Sequence, residues 1–136
     1  QLDLNLTTAF QGSKAAANRM HEGGCIINIS SGAGMRGSAF TGPYAAAKAG
    51  VMALTRCVAM ETIEHGIRIN AVAPTLAMNP HLSKTSSDEL IAELTSKEAY
   101  GRGAEPWEIA NIILFLASDL STYMTGEVIS ASSQRA

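Results

Sequence analysis

The sequence predicts a layered α/β fold built on a parallel sheet, and three observations carry that prediction. Three short, β-branched apolar runs have the length and composition of buried strands: CIINIS at 25–30, IRINAVA at 67–73 and EVISA at 127–131. The segments between them repeat apolar residues every three or four positions, the period of a helix. Helices therefore separate the strands in the order α-β-α-β-α-α-β, and a strand reached through a helical crossover pairs parallel to the one before it.

Each element has its own local reason. Leu6, Ala9, Phe10, Ser13, Ala16, Ala17 and Met20 share one face of a first helix, which ends near Gly23 and Gly24. CIINIS follows as a strand, then a glycine loop to Gly42. Pro43 suits the first turn of a second helix, where its missing N–H has no partner to lose. That helix is expected to run to about His65, with Gly66 as its left-handed cap. IRINAVA is stopped by Pro74. Residues 75–85, TLAMNPHLSKT, carry Pro80 and read as a loop, and a short helix is expected around Ser86 to Ser96. Glu105-Pro106-Trp107-Glu108 opens the next helix with proline at its start and acid in its first turn. This helix is apolar almost all round, through Ile109, Ile112, Ile113, Leu114, Phe115 and Leu116, and is expected to be buried. Gly126 precedes the last strand.

Composition narrows the function. The chain has 136 residues, 46% hydrophobic and 16% charged, which suits one globular domain with a real core rather than a disordered segment. A net charge of −2 without any basic stripe argues against nucleic acid and against an anionic membrane surface. The longest nearly apolar stretch, IANIILFLA, is too short to span a bilayer, and no signal-peptide pattern stands out. Cys25 and Cys57 form no C-x-x-C and read as two reduced core thiols, so a cytoplasmic location is expected. His21, His65 and His81 are scattered without ligand spacing, so no metal site is expected. No internal repeat or linker is present. The chain opens on Gln1 inside what reads as a helix already under way, and is expected to be a piece of a larger protein.

The loop after the first strand contains a literal G-x-G-x-x-G at Gly32, Gly34 and Gly37. Two requirements of a dinucleotide fingerprint fail. The third glycine should open the helix, yet Ser38 to Gly42 separate Gly37 from Pro43; and an acid should close a strand about 20 residues on, whereas Glu61 and Glu64 fall in a helix. The glycines are read instead as giving slack between Ser31 and Tyr44. A serine-hydrolase elbow fails as well, because G-x-S-x-G needs glycine before Ser30 or Ser31 and neither Asn28 nor Ile29 is one.

Tyr44 and Lys48 are more telling. Four apart on a helix, they face the same side, and a nearby ammonium favours the charged form of a phenol. A tyrosine so tuned passes a proton to an alkoxide or takes one from an alcohol. Ala45, Ala46, Ala47, Ala49 and Gly50 surround the pair with small residues, and Ser31 ends the preceding strand, where a parallel sheet presents its ligand crevice.

Ser31, thirteen residues before Tyr44, together with PYAAAKAGVMALTR, resembles the catalytic core of the short-chain dehydrogenase/reductase family, with a likeness to its classical 3-oxoacyl reductases. NLTTAF at 5–10 resembles the family's helix carrying a fourth catalytic residue, here Asn5. IRINAVAP resembles the strand leading to the cofactor loop, and GRGAEPWEIANIILFLASDLSTYMTGE resembles the C-terminal third, so the resemblance covers essentially the whole chain. It implies a Rossmann-like, doubly wound parallel sheet, of which residues 1–136 make the C-terminal catalytic half as a single partial domain. The glycine turn and the residue choosing NAD or NADP would lie upstream of Gln1, and the strand at 25–30 would keep an open edge.

The resemblance also implies roles. Tyr44 would be the general acid/base, Ser31 would hold the substrate oxygen, Lys48 would tune Tyr44 and bind the nicotinamide ribose, and Asn5 would anchor a proton-relay water. Tyr44 and Lys48, with Pro74, Thr75, Ala77 and Asn79 of the cofactor loop, would bind NAD or NADP. The implied reaction is hydride transfer between nicotinamide and a secondary alcohol or ketone. The apolar residues from Leu76 to Tyr100 suit an acyl thioester or a steroid-like ketone. Association into a homodimer or homotetramer through the helices at 2–21 and 43–64 is implied too; the alternative is a catalytically incompetent fragment serving at most as an oligomerisation module. Three positions depart from the family pattern. Thr75 stands where Pro-Gly is usual, Asn79 where threonine is frequent, and Ser130 to Ser133 replace a glycine pair.

Overall fold

The three apolar runs form β1 (Gly24–Ile29), β2 (Ile67–Pro74) and β3 (Val128–Ala131) of one parallel sheet in the order β1-β2-β3. Gly24 lies opposite Ile67 and Ala71 opposite Val128. The computed structural model describes residues 1–134. Because side chains alternate along a strand, the sheet has two apolar faces. Ile26, Ile67 and Ile69 pack with Val58 and Ala59 on one face, and Val72 and Ala131 with Leu116 on the other.

A π-helical turn, Asp3–Thr7, leads into α1 (Thr8–Ala17), and α2 (Gly42–Thr62) covers the same sheet face. After a 3₁₀ turn, Gly66 takes φ 66°, the left-handed cap expected of it. Helices α3 (Pro80–Thr85) and α4 (Asp88–Ser96) follow β2, and α5 (Pro106–Ala117) covers the second face. This is a partial Rossmann fold. Among the described residues no helix is long and apolar enough to cross a membrane.

Three expectations are corrected. Residues 80–85 are helical rather than loop: the Asn79 side chain accepts the Leu82 amide (3.0 Å), and Pro80 occupies the first helical position. Pro80 is a start signal here, not a breaker. Helix α5 is not buried all round, since Trp107 and Leu114 are 62% and 67% exposed. A helix lying on the outside of a sheet buries one stripe, here Ile109, Ile112, Ile113 and Leu116, and leaves the opposite stripe uncovered. Cys25 is half-buried with its thiol 3.3 Å from the Leu116 carbonyl, but Cys57 is exposed on α2 and is no core thiol.

Polar side chains fix how the layers meet. Arg68 donates to the carbonyls of Leu116, Ser118 and Met124 and to the Ser121 hydroxyl, satisfying carbonyls left open at the end of α5. Asn70 is fully buried, donates to the Met124 carbonyl (2.9 Å) and accepts the Glu127 amide (3.0 Å), which fixes the turn entering β3. At the start of α5, Glu108 reaches back to accept the Glu105 amide (2.8 Å) and two bonds from the Arg102 guanidinium (2.7 and 2.8 Å). Hydrogen bonding from Arg102, then from the Glu105 amide, holds the Glu108 carboxyl down to about 2.

Replacing Asn70 by Ala removes the bond to the Glu127 amide and one of the two bonds to the Met124 carbonyl, and is expected to lower unfolding free energy by about 1–3 kcal/mol in urea titration. An unchanged midpoint would refute the role. Glu108 supplies a second test. Its folded pKa of about 2 lies below the ordinary 4.5, so its contribution is complete above 4.5 and lost as pH falls through 2. Glu108→Gln should therefore melt below the wild type at neutral pH, with the gap closing as pH drops from 4.5 toward 2; a gap independent of pH would contradict the pairing.

Candidate functional site

The end of β1 sets the site. Ser30 is buried, its amide donating to the Val72 carbonyl (2.8 Å) and its hydroxyl to the Lys48 carbonyl (2.8 Å). Lys48 in turn donates its Nζ to the Ile29 carbonyl (3.0 Å). Strand end and helix are thus bonded reciprocally. The next residue, Ser31, is extended and caps a 3₁₀ turn over Gly32–Gly34, its Oγ accepting the Ala33 amide (3.2 Å).

The Gly34 amide bonds to the Ser31 carbonyl (2.9 Å) and the Met35 amide to the Gly32 carbonyl (3.0 Å). Three successive N–H groups therefore turn inward, where a phosphate cradle would present them outward. The loop's glycines do not simply supply slack. A Cβ on Gly34 would stand 2.7 Å from the Ala49 amide nitrogen and 2.8 Å from the Lys48 carbonyl carbon, so this glycine lets the turn press against α2. None of Gly32, Gly34 and Gly37 uses a positive φ, whereas the exposed Phe40 does, at 64°.

Tyr44 and Lys48 share a face of α2, with the Lys48 nitrogen 5.7 Å from the centre of the Tyr44 ring. Desolvation pushes the Lys48 pKa down from its ordinary value. Ser31, Tyr44, Thr75 and Lys97 line one cleft of about 410 Å³ beyond the carboxyl ends of β1 and β2, and Leu94 from α4 also reaches it. A parallel α/β sheet binds its ligands at that end.

The other expected residues are placed differently. Asn5 lies in the π-helical turn, where its amide donates to the Gln1 carbonyl (3.2 Å) and side-chain oxygen (2.8 Å), and it does not line the cleft. Its neighbour Leu6 packs against Gly50, two positions beyond Lys48. Pro74 ends β2. Thr75 has no positive φ, and its amide bonds to the Ala131 carbonyl (3.1 Å). Ala77 pairs with Ala104 in an isolated bridge, and Asn79 is engaged in capping α3, its Nδ2 on the Ala77 carbonyl (3.1 Å). Among the described residues, Thr75 alone of these four lines the cleft. Also among them, no three His, Cys, Asp or Glu side chains are grouped to hold a metal ion.

Sequence reasoning missed Glu98. It is buried, and its Oε2 accepts the hydroxyls of Thr75 and Ser133 (3.1 Å each). No motif surrounds it, and an acid just past a polar helix reads as surface; only the fold discloses it.

Comparison with known proteins agrees with this picture. A family model described as enoyl-(acyl carrier protein) reductase matches residues 1–133. A (5R,7aS)-5-hydroxy-7a-methyl-1-oxo-2,3,5,6,7,7a-hexahydro-1H-indene-carboxyl-CoA reductase of Mycobacterium tuberculosis is 53% identical over 136 residues, which is 98% of this chain and 52% of that protein. A short chain dehydrogenase from Mycobacterium smegmatis superposes with a TM-score of 0.80 at 47% identity, covering 99% of this chain and 49% of the other. A 7α-hydroxysteroid dehydrogenase complexed with NADH and 7-oxo glycochenodeoxycholic acid superposes at 0.90 with 28% identity, covering 96% and 52%. The chain spans about half the length of the relatives it matches. Its fold, its motif order and these likenesses agree, and the chain belongs to the short-chain dehydrogenase/reductase family.

Proposed function

We propose that the protein is an NAD(P)(H)-dependent oxidoreductase that interconverts a secondary alcohol and a ketone, with Tyr44 moving the proton. The observation that supports this most directly is the convergence of Ser31 and Tyr44 on one cleft, with the Lys48 ammonium beside the Tyr44 ring. The donor set fits the nicotinamide end of such a cofactor: Lys48 spends one of its three protons on the Ile29 carbonyl and keeps two for ribose hydroxyls. When bound, the cofactor supplies or accepts the hydride.

The chain's own residues do the rest. Ser31 already accepts a bond from the Ala33 amide, so its O–H is left to donate to the substrate oxygen and hold it in the cleft. In the reducing direction Tyr44 gives its phenolic proton to that oxygen as negative charge grows there, and Lys48 stabilises the charge passed to the ring. In the oxidising direction the same groups work in reverse. Asn5 would join the proton path only by releasing its present bonds to Gln1.

The substrate proposed is an apolar ring alcohol or ketone, free or carried as a CoA thioester. Two observations support it. Leu94 brings an apolar surface to the cleft, and the relatives above are named for an indene-carboxyl-CoA and crystallised with a steroid acid. Copies of the chain would associate through the helices at 2–21 and 43–64, where Leu4, Phe10 and Met60 stand exposed.

Replacing Tyr44 by Phe in the full protein should lower kcat by about 10²–10⁴-fold while NADH or NADPH titrates as in the wild type. Retained turnover would sink the assignment. Wild-type protein that quenches neither cofactor's fluorescence would favour the alternative of a catalytically incompetent association module. Met60→Glu tests the assembly: the variant should sediment at lower mass than the wild type, and equal masses would remove this surface from consideration.

A further inference from the structure

Two cavities flank the segment that follows β2. One is the cleft holding Ser31 and Tyr44; the other, of about 220 Å³, lies between α5 and the segment that follows β3. Thr75 lines both, and Glu98 lines the second. The Glu98 side chain is 4% exposed, and its single Oε2 atom accepts the Thr75 hydroxyl and the Ser133 hydroxyl, 3.1 Å each. The main chain adds a parallel tie, the Thr75 amide to the Ala131 carbonyl (3.1 Å). Glu98 itself sits in a turn closed by its own amide on the Thr95 carbonyl (3.0 Å) and by its carbonyl on the Gly101 amide (2.8 Å).

We propose that Glu98 is a positioning residue: its buried carboxylate bolts the segment after β2 to the segment after β3, and so fixes the Thr75 wall of the active cleft. Two hydroxyls bonded to one buried oxygen hold both donors to one geometry, and a buried polar group that loses its partner costs more than the bond itself is worth. Both hydroxyls stand in segments where the family resemblance leads one to expect glycine, which has no side chain to hold. Thr75, Ser133 and Glu98 therefore act as a set, in which the Glu98 side chain ties together two hydroxyls that glycine would lack. Glu98 reaches neither substrate nor cofactor; it acts through Thr75. Its effect on catalysis rests on the proposed oxidoreductase activity, but its effect on the segment does not.

The test uses the full protein with Glu98→Ala, Glu98→Gln and Thr75→Val, read by amide hydrogen exchange and by steady-state kinetics. In Glu98→Ala the Thr75 and Met78 amides should exchange about tenfold faster or more, with those of β1 unchanged. The KM for the nicotinamide cofactor should rise by a similar factor while kcat stays within about threefold. Glu98→Gln keeps an acceptor oxygen and should recover most of both effects. Thr75→Val should reproduce the alanine phenotype and make further change at Glu98 nearly silent, which a merely structural residue would not do. If Glu98→Ala does not fold, Thr75→Val carries the same expectation. Unchanged exchange at Thr75 and Met78, or a loss spread evenly over the protein, overturns the proposal. Wild-type protein that binds no nicotinamide cofactor, with the exchange result as expected, overturns the oxidoreductase reading and leaves the bolt standing.

Discussion

Everything at the cleft depends on a reciprocal clasp between β1 and α2. The Ser30 hydroxyl donates to the Lys48 carbonyl, and the Lys48 ammonium donates to the Ile29 carbonyl. A strand end is where a sheet runs out of backbone partners, so its last carbonyl is available to a side chain. Using Ile29 in this way settles two things together: where the strand stops relative to the helix, and where the Lys48 charge sits relative to Tyr44. The close approach that the clasp requires is possible because position 34 has no Cβ. Lys48 both closes the fold and stands beside Tyr44.

The clasp would be worth little if the layers could slide, and buried and half-buried polar groups prevent that. On the α1/α2 face, Ser13 donates to Asn28, and Asn28 donates to Thr55, joining a helix, a strand and a second helix in one line. On the α5 face, Arg68 and Asn70 bind carbonyls at the end of α5 and in the turn before β3. A buried polar group left without its partner costs more than an apolar mismatch, so such lines fix the register more strictly than the interchangeable isoleucines around them. Apolar burial drives the layers together, and these amides and hydroxyls decide where they stop.

That division explains what the sequence disclosed. Strands, crossovers and the Tyr44–Lys48 pair were legible because each is written in local periodicity or fixed spacing, and Gly66 because only one conformation suits its place. Pro80 misled because proline is both a breaker and a first-turn residue, and the arbiter was Asn79, a capping side chain immediately before it. Helix α5 misled because composition records how much apolar surface a helix carries but not how much of it this chain covers. Glu98 was beyond reach for a different reason. Its partners, Thr75 and Ser133, lie 23 and 35 residues away in sequence, and only the parallel return of β3 beside β2 brings them together. Asn5 shows the reverse case, a position legible from the family pattern whose amide is turned to Gln1.

The clasp also carries an electrostatic cost that bears on function. Among the described residues Lys48 makes no ion pair, and its one acceptor is the neutral carbonyl of Ile29. Burial therefore lowers its pKa below the ordinary 10.5 with no carboxylate to oppose the shift. A folded pKa below the unfolded one means that the folded chain releases this proton first. The penalty is present in full at lower pH and fades as pH rises through the window between the lowered value and 10.5. A carboxylate beside Lys48 would remove that penalty, but it would also neutralise the field at Tyr44. An ammonium held by a neutral carbonyl keeps its full charge 5.7 Å from the centre of the Tyr44 ring, and the fold tolerates the mismatch because the same lysine fastens β1 to α2.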